Sequence, residues 1–297
     1  MIKDNNVITL TIVANMTANY GETLGNCSTI QKVVLDGKQY GKRSKESLKY
    51  AIMKQTGFYD DVHVDVNKAA CKISDDNVNI SNCRSLEGGY MSTKGEMFKR
   101  NSSFYISDAI SVEPFNCESD LHNNLGLATQ YAKQNNLSVG KDASACGLMI
   151  YNYEYSHNMM IYSITIDLNR IGVDENLGIN VDNAEKIDRV IKLLEAVQNL
   201  SLIVKGSLDN AAPMFVIGGF SKYKTHIFDH YVKVKDKKLL ITDSLIKKLE
   251  KNEDCKVGMI DETFENDKEI KEKLNVMNVD DFFDQLIEEV KVLYYKE

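Results

Sequence analysis

The side chains best suited to a binding chemistry are basic, and they lie near glycine turns. Arg43, Lys45 and Lys49 fall within seven residues of one another. Upstream, Asn19, Tyr20 and Gly21 open a turn-rich run that reaches Gly25, and downstream Lys99 and Arg100 follow Phe98. Positive side chains, backbone amides freed by glycine and stackable rings are what a protein needs to track a single-stranded polyanion without reading its bases. Gly21 and Gly25 are expected to take positive φ and bring amides close to an anion. The run is not a P-loop, because no Lys-Ser/Thr pair follows its second glycine.

Catalytic constellations are sparse. His226 and His230 are four apart, a metal-ligand spacing on a helix, but they fall in a stretch read as strand, where Cα atoms that far apart stand ~13 Å from each other. Cys117 and His122 would make a dyad only through folding that brings them together. No G-x-S-x-G, H-E-x-x-H or dinucleotide fingerprint occurs. The expectation is a chain that is not an enzyme and that uses no cofactor and no metal. The six cysteines contain no C-x-x-C pair, so reduced thiols in a cytoplasmic protein are expected rather than a disulfide or zinc scaffold. The absence of any apolar stretch of ~18–20 residues argues against a membrane-spanning helix, and the run 7–14, broken by Thr9 and Thr11, does not read as a signal peptide.

Net charge is −7 over 297 residues, which speaks against a wholly basic nucleic-acid binder. Its distribution matters more. Residues 32–54 hold seven basic residues against two acids, a local +5, while 250–297 hold fifteen acids against seven bases, a local −8. Screening confines a charge's influence to roughly 8 Å, so the basic region can act on a polyanion despite the acidic tail. Two solvated helix faces would produce the same asymmetry.

The elements that must position these groups follow from periodicity. Residues 7–14 alternate as a half-buried strand with Ile8, Leu10 and Ile12 on one face. Asp36-Gly37 marks a turn, and Ser44 caps a helix that Gly57 ends. Residues 58–160 show weak periodicity and read as a long insertion of loops and short elements, with 99–106 as one strand. Tyr162, Ile164, Ile166 and Leu168 form a strand, and 183–200 the clearest helix, with Ile187, Val190, Ile191, Leu194 and Val197 on one stripe and Lys186, Arg189 and Lys192 on the wet face. Met214 to Ile217 reads as a buried strand with Gly218-Gly219 as its turn, 227–234 and 239–241 as a hairpin, and 280–294 as an amphipathic helix. The fold class expected is α+β. With 58–160 read as an insertion, residues 1–57 and 161–297 come near the split βαβ, ferredoxin-like plan, which RNA-recognition domains share with many proteins unrelated to RNA. The octamer aromatics of an ordinary RNA-recognition sheet face are missing.

Several motifs, taken in order, resemble a known family. Leu10-Thr11-Ile12 with Asn19-Tyr20-Gly21, Arg43-Ser44-Lys45, Gly89-Tyr90-Met91, Lys99-Arg100-Asn101, Ser107-Asp108-Ala109, Tyr153-Glu154-Tyr155 and Ile166-Asp167-Leu168 are similar to the DevR branch of CRISPR-associated backbone proteins (Cas family seven, type I-B), over about residues 7–220. The resemblance implies a modified RNA-recognition (RRM), ferredoxin-like fold shaped like a hand: a palm from 1–57 and 161–297 with the C-terminal helices, and inserted fingers with a thumb hairpin from 58–160. Copies of it would line up along a guide RNA (crRNA) in a Cascade complex for antiviral defence, with other copies, other Cascade subunits and, through the guide, a target DNA strand as partners. Guide contacts carried over by position are Asn19, Tyr20, Gly21, Arg43, Lys45, Lys49, Lys99 and Arg100, with Tyr90 and Met91 on the finger or thumb side. Two rivals stand beside this reading. One is a metal-dependent RNA endonuclease of the type III kind, using Asp60 or Asp61, and the other is a regulatory protein.

Overall fold

The computed structural model describes residues 6–60, 62–67, 70–73, 78–92, 98–116 and 118–295. The alternating N-terminal segment becomes strand β1 (Val7–Thr17), in which all residues but Asn15 are buried. Its even positions, Ile8 to Met16, enter one hydrophobic cluster, while Val13 enters a second on the opposite face. A strand buried on both faces belongs in the middle of a sheet. The sheet continues in chain order with β2 (Lys32–Leu35), β3 (Lys38–Arg43), β4 (Phe104–Ile106), β5 (Ala109–Pro114), β6 (His157–Asp167), β7 (Phe215–Ser221) and β8 (Cys255–Met259). Its spatial order is β8-β7-β1-β6-β5-β3-β2, with β4 also on β6, and every pairing is antiparallel. β1 pairs with β6 along its whole length, from Val7 opposite Asp167 to Thr17 opposite His157.

Helix α1 (Lys45–Gln55) starts at Ser44, whose hydroxyl accepts from the Ser47 amide, and stops before Gly57 at φ +73°. The others are α2 (Leu125–Gln134), α3 (Asn183–Gln198), α4 (Asp243–Glu250), α5 (Asp267–Leu274) and α6 (Val279–Tyr295). Leu48 and Ile52 of α1, Val190 and Leu194 of α3, and Phe283 and Val290 of α6 share a core with the even positions of β1, so these three helices cover one face. Stripped to β1, α1, β4–β5, β6, α3 and β7, the chain follows the β-α-β-β-α-β plan. The fold is therefore α+β with a ferredoxin-like core.

The opposite face is closed as well. Ile227, Phe228, Leu245 of α4 and Ile270 of α5 pack over Phe215, Ile217 and Val257. Above the central strands, a ladder of hydroxyls takes the place of apolar side chains. Thr11 meets Ser163 at 2.8 Å, Ser163 donates to Asp229 at 2.9 Å, and Thr165 meets His226 Nδ1 at 2.8 Å. Residues 225–229 thus lie across the surface that an ordinary RNA-recognition domain leaves open.

Several expectations need correction. Phe104–Ile106 and Ala109–Pro114 belong to the main sheet, so the stretch 58–160 is not wholly an insertion; the first strand has only three residues, and the second buries the small Ala109 and Ser111, which leave no apolar signal. Phe98–Arg100 and Phe104–Ile106 are two strands, parted at 101–103. Segment 19–26 is mostly strand (Tyr20–Leu24), and of its two glycines only Gly25 has positive φ. The strand Tyr20–Leu24 pairs with Cys27–Ile30, which lies parallel to Ile150–Glu154 and through it next to Ser119–Asn123. Residues 227–231 are turns, and the hairpin is only Val234–Lys235 with Lys238–Leu239. Gly218 and Gly219 lie inside β7 rather than in a turn. There β1 and β8 approach so closely that a Cβ on Gly218 would stand 1.9 Å from the Thr9 carbonyl oxygen, and one on Gly219 2.1 Å from that of Asp254. Gly218→Ala is therefore expected to abolish soluble folded protein. Gly126→Ala, with open space around it in α2, should be neutral or add up to ~1 kcal/mol. Thermal melts of the two variants check this, and a Gly218→Ala protein that melts like wild type refutes the packing described.

Candidate nucleic-acid interface

The basic segment folds into the end of β3 and the start of α1. Asn19 holds that junction: its Oδ1 accepts from the Ser44 amide at 3.3 Å, and its backbone amide donates to the Lys42 carbonyl at 3.0 Å. Arg43, expected to face a phosphate, is instead buried. Its Nε and Nη2 donate to the Thr17 carbonyl at 2.7 and 2.5 Å, and its Nη1 donates to Ser47 Oγ at 2.9 Å. Burial lowers its pKa from the ordinary value, with Asp209 opposing. The helix amides are also engaged, since Asp108 Oδ1 accepts from the Lys45 amide at 2.7 Å. The Lys45 ammonium reaches outward, 60% exposed and 3.9 Å from Glu46. Two positions therefore separate a structural cation from a solvent-facing one.

A second cluster lies further along α1. Lys49 Nζ donates to the Gly88 carbonyl at 2.8 Å and to Ser102 Oγ at 2.9 Å, above the Phe104 ring, and burial lowers its pKa. Arg100 is also buried rather than solvent-facing. It donates to the carbonyls of Leu86, Arg170 and Val173 at 2.6–2.8 Å and pairs with Glu87 at 3.1 Å. Glu87 is fully buried; the oxygen that takes Arg100 also accepts from the Ser103 hydroxyl, and the other accepts from Arg189 at 2.8 Å and from the Gly172 amide at 2.8 Å. Arg189 extends the network to Glu185 and to the Ile80 carbonyl, both at 2.8 Å. Burial alone would raise the Glu185 carboxyl, but hydrogen bonds from Arg84 and Arg189 outweigh it and hold it below the usual range. Tyr90 donates to Asp174 at 2.7 Å, and burial followed by that bond pushes its phenol up to about 12. Opposite Tyr90 and Arg100 on the same hairpin, Met91 and Lys99 form a cross-strand pair and point to solvent.

Sequence reasoning missed Glu87 and Ser103 and placed Arg189 on the wet face of its helix, whereas its side chain is fully buried on Glu87. The only local signal was an acid before Gly88-Gly89 in a stretch without periodicity, and its partners lie up to 102 residues away. Tyr20 and Gly21 belong to neither cluster. They sit on the small sheet, where the Tyr20 ring lies 5.5 Å from that of Tyr153.

The catalytic candidates do not converge. His226 is half-buried on Thr165, whereas His230 is 94% exposed, so the two share no site. Asp60 is exposed just beyond α1, while Asp61 and Cys117 lie outside the described residues. Among the described residues no group of three His, Cys, Asp or Glu side chains is placed to hold a metal. No described helix is long and apolar enough to cross a membrane.

A ferredoxin-like core whose sheet is covered on both faces, with a charge-pinned hairpin beside its first helix, defines a modified RNA-recognition fold. This chain belongs to the family described as "DevR: CRISPR-associated negative auto-regulator DevR/Csa2", whose profile matches residues 8–239. Two solved chains share its fold. One, from a "CRISPR RNA-guided surveillance complex, pre-nicking", is 10% identical, with a TM-score of 0.60 and coverage of 94% of this chain and 100% of that one. The other, from a "CRISPR RNA-guided surveillance complex", is 14% identical, with a TM-score of 0.56 and coverage of 94% and 99%. No curated protein sequence matches the chain.

Two outcomes follow from the site. Glu87→Gln leaves Arg100 buried without a counter-charge and Arg189 with Glu185 alone, which costs about 3–5 kcal/mol and should lower the thermal midpoint by on the order of 10 °C; a drop below about 2 °C would refute the role given to Glu87. His226 has its pKa lowered by burial, with Asp229 opposing. Its contribution is therefore complete above the unfolded value of about 6.5 and is lost as pH falls from there through the folded value. The midpoint of His226→Gln should vary less between pH 7 and 5.5 than that of wild type, and equal slopes would show that His226 does not titrate with unfolding.

Proposed function

We propose that this chain is a non-catalytic, guide-RNA-binding backbone subunit of a type I-B Cascade complex, repeated along the guide in the cytoplasm so that the guide can pair with target DNA. The observation that carries this reading is its family, joined to a fold shared over 94% of the chain with chains of CRISPR RNA-guided surveillance complexes. The closed sheet face agrees with it. Segment 225–229 occupies the platform on which an RNA-recognition domain stacks bases, which leaves edges and loops to hold a backbone while sequence is read by base pairing.

On this reading Lys45 and Lys99 supply phosphate contacts. Asn19, Arg43, Lys49 and Arg100 hold the backbone that presents them, and Gly21 with Tyr20 lines a neighbouring edge. Residues 1–57 and 161–297 form the palm, and 58–160, apart from β4 and β5, the fingers and thumb, with Tyr90 and Met91 on their hairpin. Other copies and other Cascade subunits are the partners. The family description also names a negative auto-regulator, which favours a regulatory second reading.

Purification together with the products of neighbouring genes tests the proposal. A particle carrying several copies and a bound guide supports it. A monodisperse particle without RNA, or a lone chain bound to its own promoter, overturns it. Lys45→Ala and Lys99→Ala should each weaken RNA retention alike for all sequences and reduce the salt slope by ~0.7 for each phosphate no longer neutralised, measured by filter binding across salt. Arg43→Ala should show first as a lower thermal midpoint. A change in sequence preference in either lysine variant would assign those side chains to base reading instead.

A further inference from the structure

The small sheet carries an aromatic surface that the palm does not need. Tyr151 and Tyr153 are two apart on the strand Ile150–Glu154 and so project to one side. His122 is the cross-strand partner of Tyr151, and the two rings lie 5.8 Å apart with planes 3° from parallel. Tyr153 lies 4.9 Å from His122, 5.1 Å from Tyr151 and 5.5 Å from Tyr20, giving four rings in series. At one end stands Lys205, in the turn of the hairpin formed by Ser201–Val204 and Ser207–Asn210. Its ammonium lies 4.7 Å over the Tyr20 ring and 4.4 Å over the Tyr153 ring. His122 is exposed, and Tyr151 and Tyr153 are half-exposed and belong to neither main core. Asp120, the cross-strand partner of Tyr153, stands on the same side of the sheet as His122, opposite the middle of the series.

We propose that Tyr20, Tyr153, Tyr151 and His122, with Lys205, form a stacking platform for the bases of a single-stranded nucleic acid. Rings in series beside one cation are the chemistry by which such strands are held without regard to sequence. The cation meets a phosphate at one end. The Asp120 carboxylate, opposite Tyr153, repels phosphate from the rings, so bases rather than backbone lie over them. The platform sits on a different sheet from Lys45 and Lys49, and it rests on the reading that this chain holds a guide RNA.

The test uses the full-length protein and a single-stranded RNA containing 2-aminopurine. Bound RNA should show quenched 2-aminopurine fluorescence. Tyr151→Leu and His122→Leu should each relieve the quenching and weaken binding about tenfold with the salt slope unchanged. Tyr151→Phe should retain both properties, and Lys205→Ala should lower the slope by ~0.7. Cross-strand aromatic pairs also stabilise sheets, so thermal midpoints accompany each titration. His122→Leu, at an exposed position, keeps the test open if Tyr151→Leu unfolds. RNA that binds wild type with its base unquenched, or leucine variants that bind like wild type, overturns the platform and leaves the guide-binding reading intact; this is also the result if the surface serves a protein neighbour. A wild-type chain that binds no RNA overturns both.

Discussion

The buried carboxylate of Glu87 is the interaction on which the presentation of the basic surface depends. It joins a short turn of 3-10 helix (Arg84–Gly88), the hairpin strand Phe98–Arg100, helix α3 and the loop at Gly172 through Arg100, Arg189, Ser103 and a backbone amide. A charge with no solvent around it is tolerated only when its lone pairs are filled, and here each oxygen of the carboxylate accepts two hydrogen bonds. Among the described residues, the buried apolar side chains beneath this region are Ile80, Cys83 and Leu86, with Val62, Val78, Tyr90 and Ile179 partly buried against them. Ion pairs therefore do the joining that a hydrophobic layer does elsewhere in the molecule. The positions of Lys99 and Met91 follow from that anchor.

A second constraint is the doubly covered sheet. Thr9, Thr11, Ser163 and Thr165 are buried hydroxyls on the two central strands, and a hydroxyl in that position needs a partner. Segment 225–229 supplies partners through the Thr225 carbonyl, His226 and Asp229. The polar faces of β1 and β6 are thus satisfied internally rather than left for a ligand. A binding surface on this fold must then come from helix ends, hairpins and the accessory sheet, where the exposed cations and rings are found.

Much of the core was legible from residue order. The alternation in 7–14 and 161–168 and the stripe in 183–200 survive as β1, β6 and α3, because periods of 2 and 3.6 are local properties that burial on one or two faces reinforces. The turn at Asp36-Gly37 appears with both φ angles positive, 49° and 75°, as a two-residue hairpin requires. The accessory sheet was not legible. Cys27–Ile30 pairs with Ile150–Glu154 across more than a hundred residues, and strands of four and five residues carry no local sign of a partner that distant. Gly218-Gly219 resembled a turn because glycine's permissiveness serves a close backbone approach equally well.

Residue order by itself determined the helices and central strands, the clustering of positive charge in 32–54, and the family to which the motifs point. Only the tertiary structure decided which cations face water. Arg43 and Lys45 are alike in sequence, yet the Thr17 carbonyl and Ser47 hydroxyl take one guanidinium inside while the neighbouring ammonium stays out. The physical reason is that burial of a charge depends on polar partners distant in the chain, and no local pattern of residue types records where those partners will be.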